Sequence, residues 1–219
     1  MKIVLKPGGV ILILVAVFGL SLLAVRSRKI STVPRTIVAQ NIVVPLKVVS
    51  QEFLPNGGFE GDYSICRKID VAHGVDITGV IANSWADNSG WGRIGLRYEK
   101  DDVNPYSGRS AQKITVQSIG SAYTQLVQYV DVPQGTVVEG RIWARSDVPL
   151  KASDAGIVLR KIDAPGTIYA DTPMLLTTKW ESFTLRGTVR DTGKAMFIVY
   201  VRRAGVSVWL DEASLHIAP

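Results

Sequence analysis

From residue 52 to the C-terminus the chain is written in short alternating runs. Apolar side chains recur at every second position over six to twelve residues, then give way to clusters of Gly, Pro, Asn and Asp. That rhythm predicts strands at 94–99, 110–117, 124–132, 137–145, 156–162, 180–187, 195–201 and 206–217. Turn signals such as Asn104-Pro105-Tyr106-Ser107-Gly108, Pro133-Gln134-Gly135 and Asp191-Thr192-Gly193 lie between them. A strand repeats every two residues, so in the run 137–145 Ile142 and Ala144 face one way while Arg141, Trp143 and Arg145 face the other. No stretch carries the 3.6-residue period of an amphipathic helix over a convincing length, and so many short strands point to an all-β sandwich or barrel.

The first quarter follows a different pattern. Residues 10–25, VILILVAVFGLSLLAV, are apolar apart from Gly19 and Ser21, and the 19 residues between Lys6 and Arg26 carry no charge. As a helix such a run spans about 28 Å at ~1.5 Å per residue, near the roughly 30 Å of a bilayer core. It is also longer than the apolar region of a cleaved signal and ends without a small-x-small site, so a retained anchor over residues 1–29 is expected. Residues 30–51 are Ile/Val-rich, with β-branched runs at Thr36-Ile37-Val38 and Ile42-Val43-Val44. A free spacer is polar or rich in Gly, Ser or Pro, so this tether is expected to lie against a surface, of its own domain or of a partner. Residues 52–219 then form the sandwich.

Charge sharpens this division. Residues 1–51 hold seven basic and no acidic residues, whereas residues 52–219 hold 18 basic and 19 acidic ones. The basicity belongs to the leader, where anionic lipid or an acidic partner at a membrane suits it; a nucleic-acid-binding domain would need a basic face of its own. The single cysteine, Cys66, excludes an internal disulfide and reads as a small buried hydrophobe.

Catalytic patterns are missing. His73 and His216 are the only histidines, and neither accompanies a nucleophile motif. The adjacent carboxylates Asp101 and Asp102 would point to opposite faces of a strand, unlike a paired acid and base. A non-catalytic role is expected.

Five segments, LPNGGFE (54–60), NPYSGRSAQKITV (104–116), QLVQYVDVPQGTVVEGRIWARSD (125–147), TTKWESFTLRGTV (177–189) and GVSVWLDEASL (205–215), occur in an order and spacing that resemble carbohydrate-binding modules of families 4, 9 and 22. The resemblance implies a jelly-roll β-sandwich behind the single N-terminal transmembrane helix. It also implies sugar held on a sheet by aromatic side chains, and one structural Ca2+ held by Glu60 and Asp211. Calcium takes several hard oxygens, which these carboxylates and nearby carbonyls could supply; the alternative is that Glu60 caps a turn and Asp211 pairs with an arginine.

A sugar platform needs flat aromatics beside planar polar groups. Trp85 and Trp91, in NSWADNSGWG, read as loop platforms; Tyr98, Tyr123, Trp143 with its neighbours Arg141 and Arg145, and Tyr169 are further candidates for ligand or partner contact, each weighed against ordinary packing. Trp180 and Trp209 read as core. Two roles follow. In the first, favoured by the anchor and the apolar tether, a periplasmic sandwich on a bacterial inner membrane braces an integral membrane protein complex as an accessory subunit. In the second, the anchored module binds a cell-envelope glycan. The basic residues on both flanks of the anchor leave its orientation open, and the periplasmic placement comes from the family resemblance.

Overall fold

A computed structural model describes residues 51–219; the predicted anchor and nearly all of the tether lie outside the described residues. Twelve strands form there: β1 (Tyr63–Asp70), β2 (Val75–Ala82), β3 (Ala86–Asp87), β4 (Ile94–Asp101), β5 (Ala111–Ile119), β6 (Thr124–Val130), β7 (Val137–Ser146), β8 (Ala155–Lys161), β9 (Ile168–Pro173), β10 (Glu181–Thr188), β11 (Ala195–Val201) and β12 (Val206–Ile217). The eight predicted strands are β4 to β8 and β10 to β12, with ends displaced by a residue or two. No helix among the described residues is long and apolar enough to cross a membrane.

The strands make a sandwich. One sheet has seven strands in the order β1-β2-β4-β5-β12-β7-β10, the other five in the order β3-β6-β11-β8-β9. Every pairing is antiparallel except β2 with β4. Strand β12 runs through the larger sheet between β5 and β7, and Glu52 bridges to His216 beside it, so the domain's two ends meet. Alternation predicts the inner faces correctly: Ile142 and Ala144 are buried, as are Leu96, Ile114, Val208 and Leu210 from neighbouring strands. Leu126, Ile157, Leu159, Phe197 and Val199 meet them from the smaller sheet, in one continuous core. Gly140 sits at the centre of β7 because a side chain there would crowd Phe197, 3.0 Å from the place of a Cβ.

The strands that the pattern does not announce have local reasons. Strand β1 is an edge strand whose outward side chains, Ile65 and Ile69, are exposed, so its apolar residues do not mark an inner face. Strand β2 contains Gly79 at φ +117°, where the backbone of Tyr98 approaches too closely for any side chain. Strand β9 is an edge strand whose register against β8 shifts between Leu159 and Arg160.

Candidate functional site

Strand β11, AMFIVYV, is buried along its whole length, on both faces. Its inward set, Phe197 and Val199, fills the core between the sheets. Its outward set joins a second apolar cluster, Val127, Val158, Met196, Ile198 and Tyr200, on the outer face of the five-stranded sheet, with Tyr123 and Ala86 packed against it. A half-exposed sheet needs no such cluster on its solvent side, and this one carries polar chemistry at its margin. A recess of about 100 Å³ opens there among Tyr123, Gln125, Arg160, Asp171, Tyr200 and Arg202.

Three aromatic rings run in a row along this face. Trp91 meets Tyr123 edge-on at 5.3 Å between centroids, and Tyr123 meets Tyr200 at 6.2 Å. Tyr200 lies over Gly156 of β8, where any side chain would collide with the phenol oxygen. Burial, and then the nearby carboxylate of Asp171, hold the Tyr200 phenol above its usual range. The Arg202 guanidinium carbon sits 4.8 Å from the Tyr123 ring centre and 4.6 Å from that of Tyr200, within cation–π distance of both.

The loop carrying Trp91 is tied to β6 through one residue. The Gln125 carbonyl accepts the N–H of Asn88 at 2.8 Å, its amide donates to Ser89 Oγ at 2.8 Å, and its Oε1 accepts Asn88 Nδ2 at 2.8 Å. Trp91, about half exposed, is therefore presented by a fixed loop. It also borders a larger cavity of about 910 Å³ beside the β1–β2 turn, lined by Lys68, His73 and Arg93 among others. His73 there is bonded to Asp70 at 2.7 Å, with both side chains largely in solvent.

The remaining sequence-derived candidates divide. Trp85 is core rather than platform: its ring stacks on Phe59 at 4.8 Å and its Nε1 donates to the Asn56 carbonyl at 3.1 Å. Tyr98 is fully buried and donates its hydroxyl to Asp87 at 2.8 Å, while Lys68 reaches the same carboxylate at 2.8 Å. The alternation of Tyr98 with Arg97 and Glu99 is the signal that places it inward. Tyr169 is buried too, its hydroxyl donating to Asp191 at 3.3 Å; the β9 register shift turns it in. Conversely, Trp180 and Trp209 leave the core.

They join Trp143 and Arg145 on the outer face of the seven-stranded sheet. Arg145 lies 3.9 Å from the Trp209 ring centre and 5.3 Å from that of Trp180. Burial draws the Arg145 guanidinium below its usual range, with Asp101 opposing. Trp143 is covered by Tyr106, their rings 3.8 Å apart and nearly parallel at 13°. Arg141 is exposed on the same face. This face is thus stacked with its own side chains; in the row on the other sheet Trp91 is about half exposed, Tyr123 partly buried and Tyr200 buried, and Tyr123 and Trp91 are the only members of it that the sequence supplied. Tyr200 and Arg202 escaped notice because β11 reads as uniformly buried.

Glu60 and Asp211 do act together, on a loop. Glu60 Oε1 accepts the N–H groups of Arg109 at 2.6 Å and Ser110 at 3.1 Å. Asp211 Oδ2 accepts those of Tyr106 at 2.9 Å and Ser107 at 3.0 Å, and its Oδ1 that of Glu212 at 2.8 Å. Among the described residues no three or more His, Cys, Asp or Glu side chains gather as a metal-binding group. Calcium takes six to eight oxygens, so two carboxylates already turned to amide N–H groups do not fit the ion in this arrangement.

Comparison with known proteins bears on the fold. Neither a scan of protein-family models nor a search of curated proteins found a match. Among solved structures the chain is similar to a family 4 carbohydrate-binding module, at a TM-score of 0.53 and 18% identity over 75% of this chain and 99% of that one. It is also similar to a protein of Bacteroides thetaiotaomicron named as a candidate sugar binding protein, at 0.54 and 9% identity over 77% and 100%. A third, the CBM22-1 xylan-binding domain of Xyn10C from Paenibacillus barcinonensis, has 14% identity over 61% and 85%, with a TM-score of 0.49. At these identities the likeness is one of fold: a β-sandwich of the carbohydrate-binding-module type.

Proposed function

We propose that this chain is a non-catalytic glycan-binding module, carried at a membrane by residues 1–29, and that it binds sugar along the outer face of the five-stranded sheet. The row Trp91, Tyr123, Tyr200 carries this reading. Aromatic faces take the C–H faces of pyranose rings, with half-exposed Trp91 the accessible end of the row, and Gln125, Asp171, Arg160 and Arg202 supply planar hydrogen-bonding groups for the hydroxyls beside it. The likeness in fold to carbohydrate-binding modules supports the reading. The test is calorimetry of the full chain in non-ionic detergent against a panel of envelope and plant polysaccharides. At least one is expected to bind, with Trp91→Ala weakening it about tenfold or more, the scale of a buried aromatic contact. Retention of affinity in Trp91→Ala and in Tyr200→Ala would remove the site.

A second reading, an accessory subunit on a larger membrane assembly, has one structural observation in its favour. Edge strand β1 and its turn expose Ile65, Ile69 and Val71, an apolar strip on a sheet edge that is unpaired among the described residues, of the kind that partners cover. Co-migration with a large complex in native gels of detergent-solubilised membranes would favour it over a free module. A periplasmic position is proposed with either reading; protection of an engineered surface cysteine from an impermeant reagent in spheroplasts would overturn it.

A further inference from the structure

The charge of the recess sets it apart from the domain around it. Residues 52–219 as a whole are almost balanced, with 18 basic and 19 acidic residues. Yet the recess on the five-stranded sheet is lined by two arginines, Arg160 and Arg202, and one carboxylate, Asp171. Elsewhere some cations are paired, Lys68 with Asp87, Lys113 with Glu99 and Arg203 with Asp154, while Arg145 on the opposite sheet also has a buried Nε without a partner but is closed in against Trp209 and Trp180. Among the described residues neither the Arg160 nor the Arg202 guanidinium has a hydrogen-bond or ion-pair partner, and the Nε of Arg160 is buried without one. Each guanidinium offers five N–H donors in a planar fork, and a buried donor left unpaired costs stability.

The two arginines are held differently. Arg160 stands on the outward face of β8, opposite Met196 of β11 and Ile168 of β9. Arg202 follows β11 directly and packs against the rings of Tyr123 and Tyr200. Resting there, it occupies part of the aromatic surface that an uncharged pyranose would use. A neutral sugar would have to displace it; a sugar bearing a carboxylate would meet it as a ready bidentate partner.

From this juxtaposition of two unpaired guanidinium groups with the aromatic row, we infer that the recess selects acidic polysaccharides whose rings carry carboxylates. The inference rests on the glycan-binding reading and narrows it. Arg202, held on Tyr123 and Tyr200, and Arg160 grip the carboxylates of a polyuronate while half-exposed Trp91 takes a ring face.

The experiment uses the full chain in non-ionic detergent and titrates polygalacturonate and alginate, their carboxyl-reduced counterparts, and neutral glucan and xylan. Since residues 1–51 carry seven positive charges and themselves attract polyanions, the variants read the site. A polyuronate is expected to bind tenfold or more tightly than its reduced form. Arg202→Gln and Arg160→Gln should each weaken it about tenfold, with unchanged near-ultraviolet dichroism and with Arg202→Lys recovering only part. Arg141→Gln, on the opposite sheet, should leave it unchanged. Equal binding of reduced or neutral polymer, dependent on Trp91, would overturn the acidic preference and keep the glycan reading. An Arg141→Gln effect as large as that of Arg202→Gln would reduce the attraction to general charge and overturn it also. If no polysaccharide binds, both readings fall.

Discussion

At the scale of single residues, two carboxylates that clamp one loop respond to acid in opposite senses. Burial pushes the Glu60 carboxyl up, but the N–H groups of Arg109 and Ser110 and the charges of Arg109 and Lys100 outweigh it, leaving the pKa below its ordinary value. The native state thus favours charged Glu60, whose contribution is complete above about pH 4.5 and is lost as pH falls through the lower folded value. Asp211 is the reverse: burial carries its carboxyl up to about 6 despite the N–H groups of Ser107, Glu212 and Tyr106. The folded chain keeps that proton where the unfolded chain, with a pKa near 3.9, has released it. Its contribution therefore declines between about pH 4 and pH 6 and is level above. Melting temperatures measured from pH 3 to 8 should show Glu60→Gln losing part of the acid-side fall, with about 1 kcal/mol less stability at pH 7. Asp211→Asn should lack the decline between pH 4 and 6. A mutant profile parallel to the wild type would refute the assignment for that residue.

At the scale of elements, the loop 102–110 and the loop 88–92 are both positioned by bonds from distant strands. The first is gripped by Glu60 and by Asp211 of β12, and in turn lays Tyr106 over Trp143. Five amide N–H groups satisfy these carboxylates without an ion. The melting temperature should accordingly be the same in excess EDTA as in millimolar calcium, by differential scanning calorimetry. A rise of several degrees with calcium would mean that the carboxylates turn from the amides to a bound cation. The second loop presents Trp91 because its Asn88 and Ser89 are bonded to Gln125 of β6. Legibility differed between elements for a physical reason. Strands with one wet and one dry face announce themselves by alternation, as β7 does. Edge strand β1 and bulged β9 do not, and β11, dry on both faces, reads as plain core.

At the scale of the whole molecule, the two sheets share one core, and Phe197 stands where they meet, edge-on to Trp85 at 6.3 Å and against the gap left by Gly140. Phe197→Ala should cost about 3–5 kcal/mol in urea denaturation, because the cavity would lie between packed layers with little freedom to collapse. A loss below 1 kcal/mol would show that the layers close over it. Phe197 and Tyr200 belong to the same strand, so the inward side of β11 holds the sandwich together while its outward side builds the candidate site.

The sequence by itself determined the class of fold, eight of the strands, the inner set of β7 and the separation of an apolar basic leader from a nearly neutral domain. Each of these follows from local period and composition. It also supplied Trp91 and Tyr123, but placed Trp85, Tyr98 and Tyr169 with them. Only the tertiary structure decided which aromatics share a surface, that Trp180 and Trp209 lie outside, and that Arg202 rests on Tyr200. Alternation states that a side chain leaves its strand on one side or the other. Which neighbours it finds there depends on register between segments far apart in the chain, and that is settled only when the sheets assemble.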